Sequence, residues 1–344
     1  MFKTILATAL VIQIVAVMRR TAKSPQDLLV TLPASTKSGC YVTNLPPAGT
    51  VLNCAGRSLN LGAPRVMGVL NITPDSFSDG GQLLDGGGIA RDILCQRAEH
   101  MLNAGAALLD IGGESTRPGA VAVGEQEELD RVLGALAILR PRFDTIFSVD
   151  TSTPAVMTQA CRHGAGMIND VRALRRPGAL EAAAATELPV CLMHMQGSPE
   201  TMQCDPSYDD VTGNVCSFLR ERVEACREHG ISDERIVLDP GFGFGKTVEH
   251  NFKLLAELSQ VVGMGYPVLA GLSRKSMIAG VLDRSVEHRM PASIGLAVIA
   301  AMKGARLIRV HDVSETFDAL AMIGAMTGAM TGGLAVGATE QLDQ

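Results

Sequence analysis

The sequence predicts an α/β chain folded as a closed (β/α)8 barrel, preceded by a short hairpin and a non-barrel N-terminal extension. Three observations predict it. Eight short apolar runs recur between residues 66 and 308, segments of helical length separate them, and polar residues follow each run. Short apolar runs alternating with helices pair in parallel, because a parallel pair needs a long crossover connection. Eight such units in a stretch of about 250 residues suit the TIM-barrel architecture better than an open, doubly wound sheet.

The elements follow in order. Val51–Cys54 and Ser58–Leu61, separated by Ala-Gly-Arg, are expected to form a hairpin covering the barrel floor. The runs expected as strands are Val66–Leu70, Ala107–Ile111, Thr145–Val149, Gly166–Ile168, Pro189–Met193, Arg235–Leu238, Pro267–Ala270 and Ala305–Ile308. Ile89–Asn103, Glu125–Leu139, Pro154–Arg162, Gly178–Ala185, Tyr208–His229, His250–Leu258 and Pro291–Met302 read as helices between them. A further helix is expected to open near Ser276. The barrel domain is thus placed at 51–330, between an extension at 1–50 and a tail at 331–344.

The extension begins with 14 nearly unbroken apolar residues, Thr4–Val17, flanked by Lys3 and by Arg19-Arg20. A spanning helix needs about 20, and Val15–Met18 is a poor small-residue cleavage site. Residues 21–50 are rich in Ser, Thr and Pro without an apolar period, as in a linker. A disordered appendage is the favoured reading and a membrane anchor the alternative; Met18 also leaves room for a later start.

Composition excludes several classes. With 47% hydrophobic and 19% charged residues, the chain has material for a large core and is not disordered. Thirty basic against 36 acidic residues, a net charge of −6, leave no surplus for general nucleic-acid binding. Trp is absent and aromatics are 3%, which argues against stacking platforms for bases or sugars. None of the eight cysteines stands in a C-x-x-C pair, so they read as buried, reduced thiols of a cytoplasmic protein.

The residues just after the runs are Asn71, Gly112–Arg117, Asp150, Asn169-Asp170, His194, Asp239, Ser273–Lys275, and Arg309 with His311. One such residue is commonly a helix cap. Eight sets at strand ends that converge on one barrel face define a ligand pocket. The stretch Asp239–Thr247 resembles a phosphate-binding loop, but Pro240 stands where that pattern needs its first glycine. Its glycines read instead as tight turns beneath a flat ligand. The helix opening after Leu272–Ser276 offers N–H donors to a carboxylate or phosphate. Strand alternation points Arg309 and His311 to the same side, and an arginine can fork a phosphate or stack on a planar ring. His194 reads as a structural histidine. Asp150 and Asp239 could be a sugar-hydrolase pair, but that reading expects aromatic platforms. No His pair has transition-metal spacing.

Met67–Gly80 and Asp110–Gly119 resemble the two signatures of the dihydropteroate synthase family. Ser148–Ser152, Ile168–Asp170, the Asp239 glycine loop, Ser273–Ser276 and Ile308–His311 follow in that family's order, so the resemblance spans residues 51 to 325. It implies the joining of 6-hydroxymethyl-7,8-dihydropterin diphosphate to p-aminobenzoate, with release of pyrophosphate, in folate biosynthesis. It assigns Thr116, Asp150, Asn169, Asp239, Lys275, Arg309 and His311 to the pterin diphosphate, with Arg309 stacking on the ring. Asp150, Lys275, Arg309 and His311 take catalytic roles, and Asn71 the position linked to Mg²⁺. Phe77, Thr116, Arg117, Pro118, Phe244, Lys275 and Ser276 would form the p-aminobenzoate site. The resemblance also implies a cytoplasmic homodimer, without membrane contact, that is a sulfonamide target. Pterin-dependent methyltransferase domains share the barrel, but would lack a loop pairing Phe77 with Thr116-Arg117-Pro118. A non-catalytic paralogue would have lost an anion-site residue, whereas Asn71, Arg309 and His311 are all present.

Overall fold

The computed structural model describes residues 50–73, 84–85, 88–116, 123–199 and 201–331. Strands β1 (Val51–Cys54) and β2 (Arg57–Asn60) pair antiparallel. Their turn, Ala55-Gly56, has positive φ at both positions, +53° and +84°, the backbone that a two-residue hairpin between twisted strands requires. The Leu61 N–H donates to the Thr50 carbonyl at 2.9 Å. Thr50, one residue before the expected boundary, therefore already takes part in the pairing.

The barrel begins with β3 (Arg65–Asn71), after which a small antiparallel ribbon, β4 (Leu84–Asp85) and β5 (Gly88–Ile89), leads into α1 (Arg91–Asn103). Then come β6 (Leu108–Gly112), α2 (Glu125–Leu139), β7 (Ile146–Asp150), α3 (Pro154–Arg162), β8 (Met167–Asp170) and α4 (Ala179–Thr186). The second half runs β9 (Val190–Met193), α5 (Val211–Glu228), β10 (Ile236–Asp239), α6 (Val248–Ala256) and α7 (Ser259–Val262). It ends with β11 (Leu269–Ala270), α8 (Ser276–Leu282), α9 (Met290–Met302), β12 (Leu307–Val310) and α10 (Val313–Thr331).

The eight barrel strands lie in the order β10-β9-β8-β7-β6-β3-β12-β11, all parallel. A parallel bridge between Leu238 and Val268 closes the ring, and the Leu238 N–H reaches the Pro267 carbonyl at 2.9 Å. Each strand falls on its expected run. Apolar periodicity does not foresee α7 or α10; α10 packs across α9 and β3.

The barrel interior is layered. Met67, Leu108, Ile146, Met167, Cys191, Val237, Leu269 and Leu307, one from each strand, form a buried apolar floor. Leu52, Cys54, Leu59 and Leu61 of the hairpin plug that floor from below. A second core lies outside the strands, where Phe147, Ile168, Leu238 and Ile308 meet the helices. Among the described residues no helix is long and apolar enough to cross a membrane.

Candidate active site

Side chains alternate along a strand, so the residues two places beyond the floor also point inward. They are Val69, Asp110, Ser148, Asn169, Met193, Asp239, Gly271 and Arg309. A two-residue step thus converts an apolar plug into the base of a polar cavity. The cavity holds about 780 Å³. Asn71, Asp150, Asn169, Asp239, Arg309 and His311 reach it from strand ends, and Thr116, Phe244, Lys275 and Ser276 from the loops beyond. The structure therefore brings together ten of the residues singled out from sequence. Phe77, Arg117 and Pro118 lie outside the described residues.

Arg309 crosses the base of the cavity. Its Nε donates to Asp110 Oδ2 at 2.6 Å and its Nη2 to Asp150 Oδ2 at 2.9 Å. Asn169 Nδ2 donates to the same Asp110 oxygen at 3.0 Å. Two corners of one guanidinium are thus fixed, which sets the plane of a flat cation in a water-poor site. Burial works against that charge, but Asp110 and Asp150 outweigh it and hold Arg309 firmly protonated. Burial also pushes the Asp150 carboxyl up to about 7, against the pull of Arg309 and with Asp110 reinforcing the rise.

Lys275 and Asp239 line the same cavity. Asp239 Oδ1 accepts the Gly241 N–H at 2.7 Å. Burial raises the Asp239 carboxyl, while the nearby Lys275 holds it back. Burial lowers the Lys275 ammonium to about 8, with Asp239 opposing the drop. Lys275 Nζ donates to the Phe242 carbonyl and lies 4.5 Å from the centroid of the Phe244 ring. At the end of β12, His311 meets the Ser273 hydroxyl through Nδ1 at 3.0 Å, and its backbone N–H meets the same oxygen at 3.3 Å. Arg274 is forked onto Asp312 beside it.

Two strand-end residues do not join the cavity. His194 is buried, with Nδ1 2.9 Å from Lys246 Nζ, and burial together with Lys246 lowers its imidazole to about 2. Asp170 accepts from the Ser152 hydroxyl and from the backbone N–H groups of Arg172 and Leu174, which fastens the loop after β8.

Sequence reasoning missed Asp110 as an individual site residue. It is fully buried and holds both Arg309 and Asn169, although it lies inside an apolar run. A carboxylate there needs a cation, and its spacing of two from Leu108 is the signal that it faces inward. The Glu114–Arg172 pair was missed too. Two parallel bonds of 2.8 and 3.0 Å tie the loop after β6 to the loop after β8.

Asn71 is the residue expected to touch magnesium. It ends β3 and lines the cavity, and among the described residues no cluster of three His, Cys, Asp or Glu could hold a metal. One neutral amide oxygen suits Mg²⁺, which keeps several waters and takes its remaining ligands from substrate phosphates.

A barrel with a buried carboxylate–guanidinium base and a polar mouth fits the class of enzymes that bind a flat, hydrogen-bonding heterocycle. The sequence matches the family described as pterin binding enzyme over residues 67–311. The dihydropteroate synthase of Escherichia coli (strain K12) is 50% identical over 273 residues, which cover 78% of this chain and 94% of that one. A structure of the Yersinia pestis dihydropteroate synthase with a sulfonamide drug superposes with a TM-score of 0.78 at 51% identity, covering 81% of this chain and 99% of that one. The Xanthomonas albilineans dihydropteroate synthase with 4-aminobenzoic acid gives 0.75 at 48% identity, with 81% and 98% coverage. The chain belongs to the pterin-binding enzymes and, within them, to the dihydropteroate synthases, which are transferases.

Proposed function

We propose that this chain condenses 6-hydroxymethyl-7,8-dihydropterin diphosphate with p-aminobenzoate, using the residues gathered above the barrel floor. The observation that carries the reading is the convergence of Asp239, Asn169, Asp150 and Lys275, from four separate segments, on a cavity whose base is the fixed Arg309 guanidinium. A pterin has donors and acceptors along one edge and two flat faces. Asp239 and Asn169 read the edge, Lys275 donates to it, and the held plane of Arg309 stacks on a face.

The reaction breaks the bond between the pterin methylene carbon and the diphosphate oxygen. Pyrophosphate leaves with the electron pair, toward Arg309, His311 and Thr116, which stabilise its developing charge. The Asp150 carboxylate stabilises the positive charge left on the pterin. The p-aminobenzoate nitrogen then forms the new C–N bond and releases its proton to water. Asn71 would hold a magnesium ion, whose charge would neutralise the diphosphate. Phe244, Thr116, Lys275 and Ser276 hold p-aminobenzoate, with Phe77, Arg117 and Pro118 completing its site. The active form is a cytoplasmic homodimer, an assembly that sedimentation of the purified chain tests.

The direct assay incubates purified protein with the pterin diphosphate, labelled p-aminobenzoate and Mg²⁺. Labelled dihydropteroate is expected, and its absence with a folded protein overturns the reading. Sulfonamides share the amine-bearing ring of p-aminobenzoate, and the similar Yersinia pestis enzyme is seen in complex with a sulfonamide drug. Sulfamethoxazole is expected to inhibit, and added p-aminobenzoate to relieve the inhibition.

A further inference from the structure

The glycine stretch that imitates a phosphate loop ends in Gly245-Lys246-Thr247, and the site described above uses neither Lys246 nor Thr247. Thr247 has a local role. Its hydroxyl accepts the His250 N–H at 3.1 Å and caps α6. Lys246 is more unusual, being a lysine with only 3% of its surface exposed. Its Nζ lies 2.8 Å from the Gly241 carbonyl, 3.0 Å from the Phe244 carbonyl and 2.9 Å from His194 Nδ1. The nitrogen thus donates to two carbonyls and meets one imidazole nitrogen, which gives it three polar partners.

The loop itself explains the need. Gly241, Gly243 and Gly245 take φ of +68°, +81° and +60°, so the backbone folds back on itself and cannot form a ladder. A side chain at Gly241 would sit 1.8 Å from the His194 carbonyl oxygen, so the chain passes tightly against β9's exit. Such a segment has few backbone donors for its own carbonyls; Gly241 accepts the Phe244 N–H at 3.1 Å, and side chains supply the rest. All five from Gly241 to Gly245 accept a side-chain donor, from Lys246, Lys275, Gln203, Lys246 and Tyr208 in turn. Lys246 alone takes two of them. It also reaches a residue of another strand end, His194, so it ties the loop to the barrel from behind. From the cavity side, Lys275 takes the Phe242 carbonyl and faces the Phe244 ring.

We infer that Lys246 is a positioning residue, which fixes the Phe244 wall of the second-substrate site by gathering the loop carbonyls onto one buried nitrogen. Asp239 and Asn169 are placed by their strands, and Asp239 meets the loop through the Gly241 N–H at 2.7 Å, at the end farther from Phe244. Loss of the Lys246 nitrogen therefore loosens the Phe244 side of the p-aminobenzoate site more than it disturbs the strand-borne readout of the pterin. This rests on the assignment of the site to those two substrates.

The test compares Lys246→Met with the parent enzyme. It is expected to raise the KM for p-aminobenzoate tenfold or more, while calorimetric affinity for the pterin diphosphate stays within threefold. A merely structural lysine would lower the active fraction, and with it kcat, without separating the two substrates. Should that variant fail to fold, His194→Leu carries the test. It removes one polar partner of Lys246, leaves the two carbonyls to it, and is expected to raise the same KM two- to fivefold. An unchanged p-aminobenzoate KM in the folded variant, or a parallel loss for both substrates, overturns the inference. If the parent enzyme forms no dihydropteroate, the assignment of the site has failed instead.

Discussion

Two layers of the barrel interior share one backbone and differ in everything else. The floor, from Met67 round to Leu307, is an apolar ring sealed by the hairpin. Two residues further along the same strands stand Asp110, Asn169, Asp239 and Arg309. Register and pleat are identical in both, so the backbone does not distinguish them. The division is made by which side chains lie toward the C-terminal ends, where βα loops can add ligands. The floor stabilises the barrel by burial; the layer above spends stability on buried charge to hold a reactive geometry.

The sharpest way to break this contrast is Asp110→Ala. It leaves Arg309 with Asp150 alone and takes the acceptor from Asn169. Removing one partner of a buried ion pair costs about 3–5 kcal/mol. Denaturant unfolding is expected to show a loss of that order, with kcat/KM reduced at least about a hundredfold. Near-parental values in both would mean that Asp110 does not hold Arg309.

Leu108→Ala, two residues earlier, examines the other layer. A buried leucine cut to alanine costs about 2–5 kcal/mol. The unfolding midpoint is expected to fall, while calorimetric affinity of the folded variant for the pterin stays at the parental level. A matching loss of affinity would show that the two layers are not separable.

The pH dependence sharpens the contrast further, since the titrating groups stand just beyond the upper layer, at the mouth of the cavity. Lys275 is lowered to about 8, so its ammonium is present below that pH and is lost above it. Asp150 is raised to about 7, so its carboxylate is present above that pH and is lost below it. Activity is expected to rise through about 7 and to decline beyond about 8. In Lys275→Arg the alkaline decline should vanish from the pH–rate profile, because the guanidinium keeps its charge. A decline that persists unchanged would assign that limb to another group.

The smallest effect is expected from deleting residues 1–49, which stops just short of the Thr50 carbonyl used by the hairpin. Stability is expected to change by less than about 0.5 kcal/mol in denaturant unfolding, with kcat unaltered. A larger change would give the extension a part in the enzyme.

Much of this was legible in the sequence, for physical reasons. A strand buried on both faces writes itself as an apolar run, and all eight runs became strands. The polar residues after them mark the active face, because strand ends converge there. Asp110 escaped because it sits within such a run, where only the inward or outward parity of the position gives it meaning. Lys246 escaped because its partners, Gly241, Phe244 and His194, are defined by backbone turns rather than by spacing. The helix α10 escaped because its Ala, Gly and Met residues show little contrast between faces.

Calorimetric titration of the pterin diphosphate into Asp239→Ala tests most directly whether the upper layer reads the pterin. Asp239 supplies a buried, charged hydrogen-bonding group, worth about 1.5–3 kcal/mol. The expected result is a tenfold or greater loss of affinity in a variant that remains folded. Affinity equal to the parent's would contradict the assignment of this layer to the pterin.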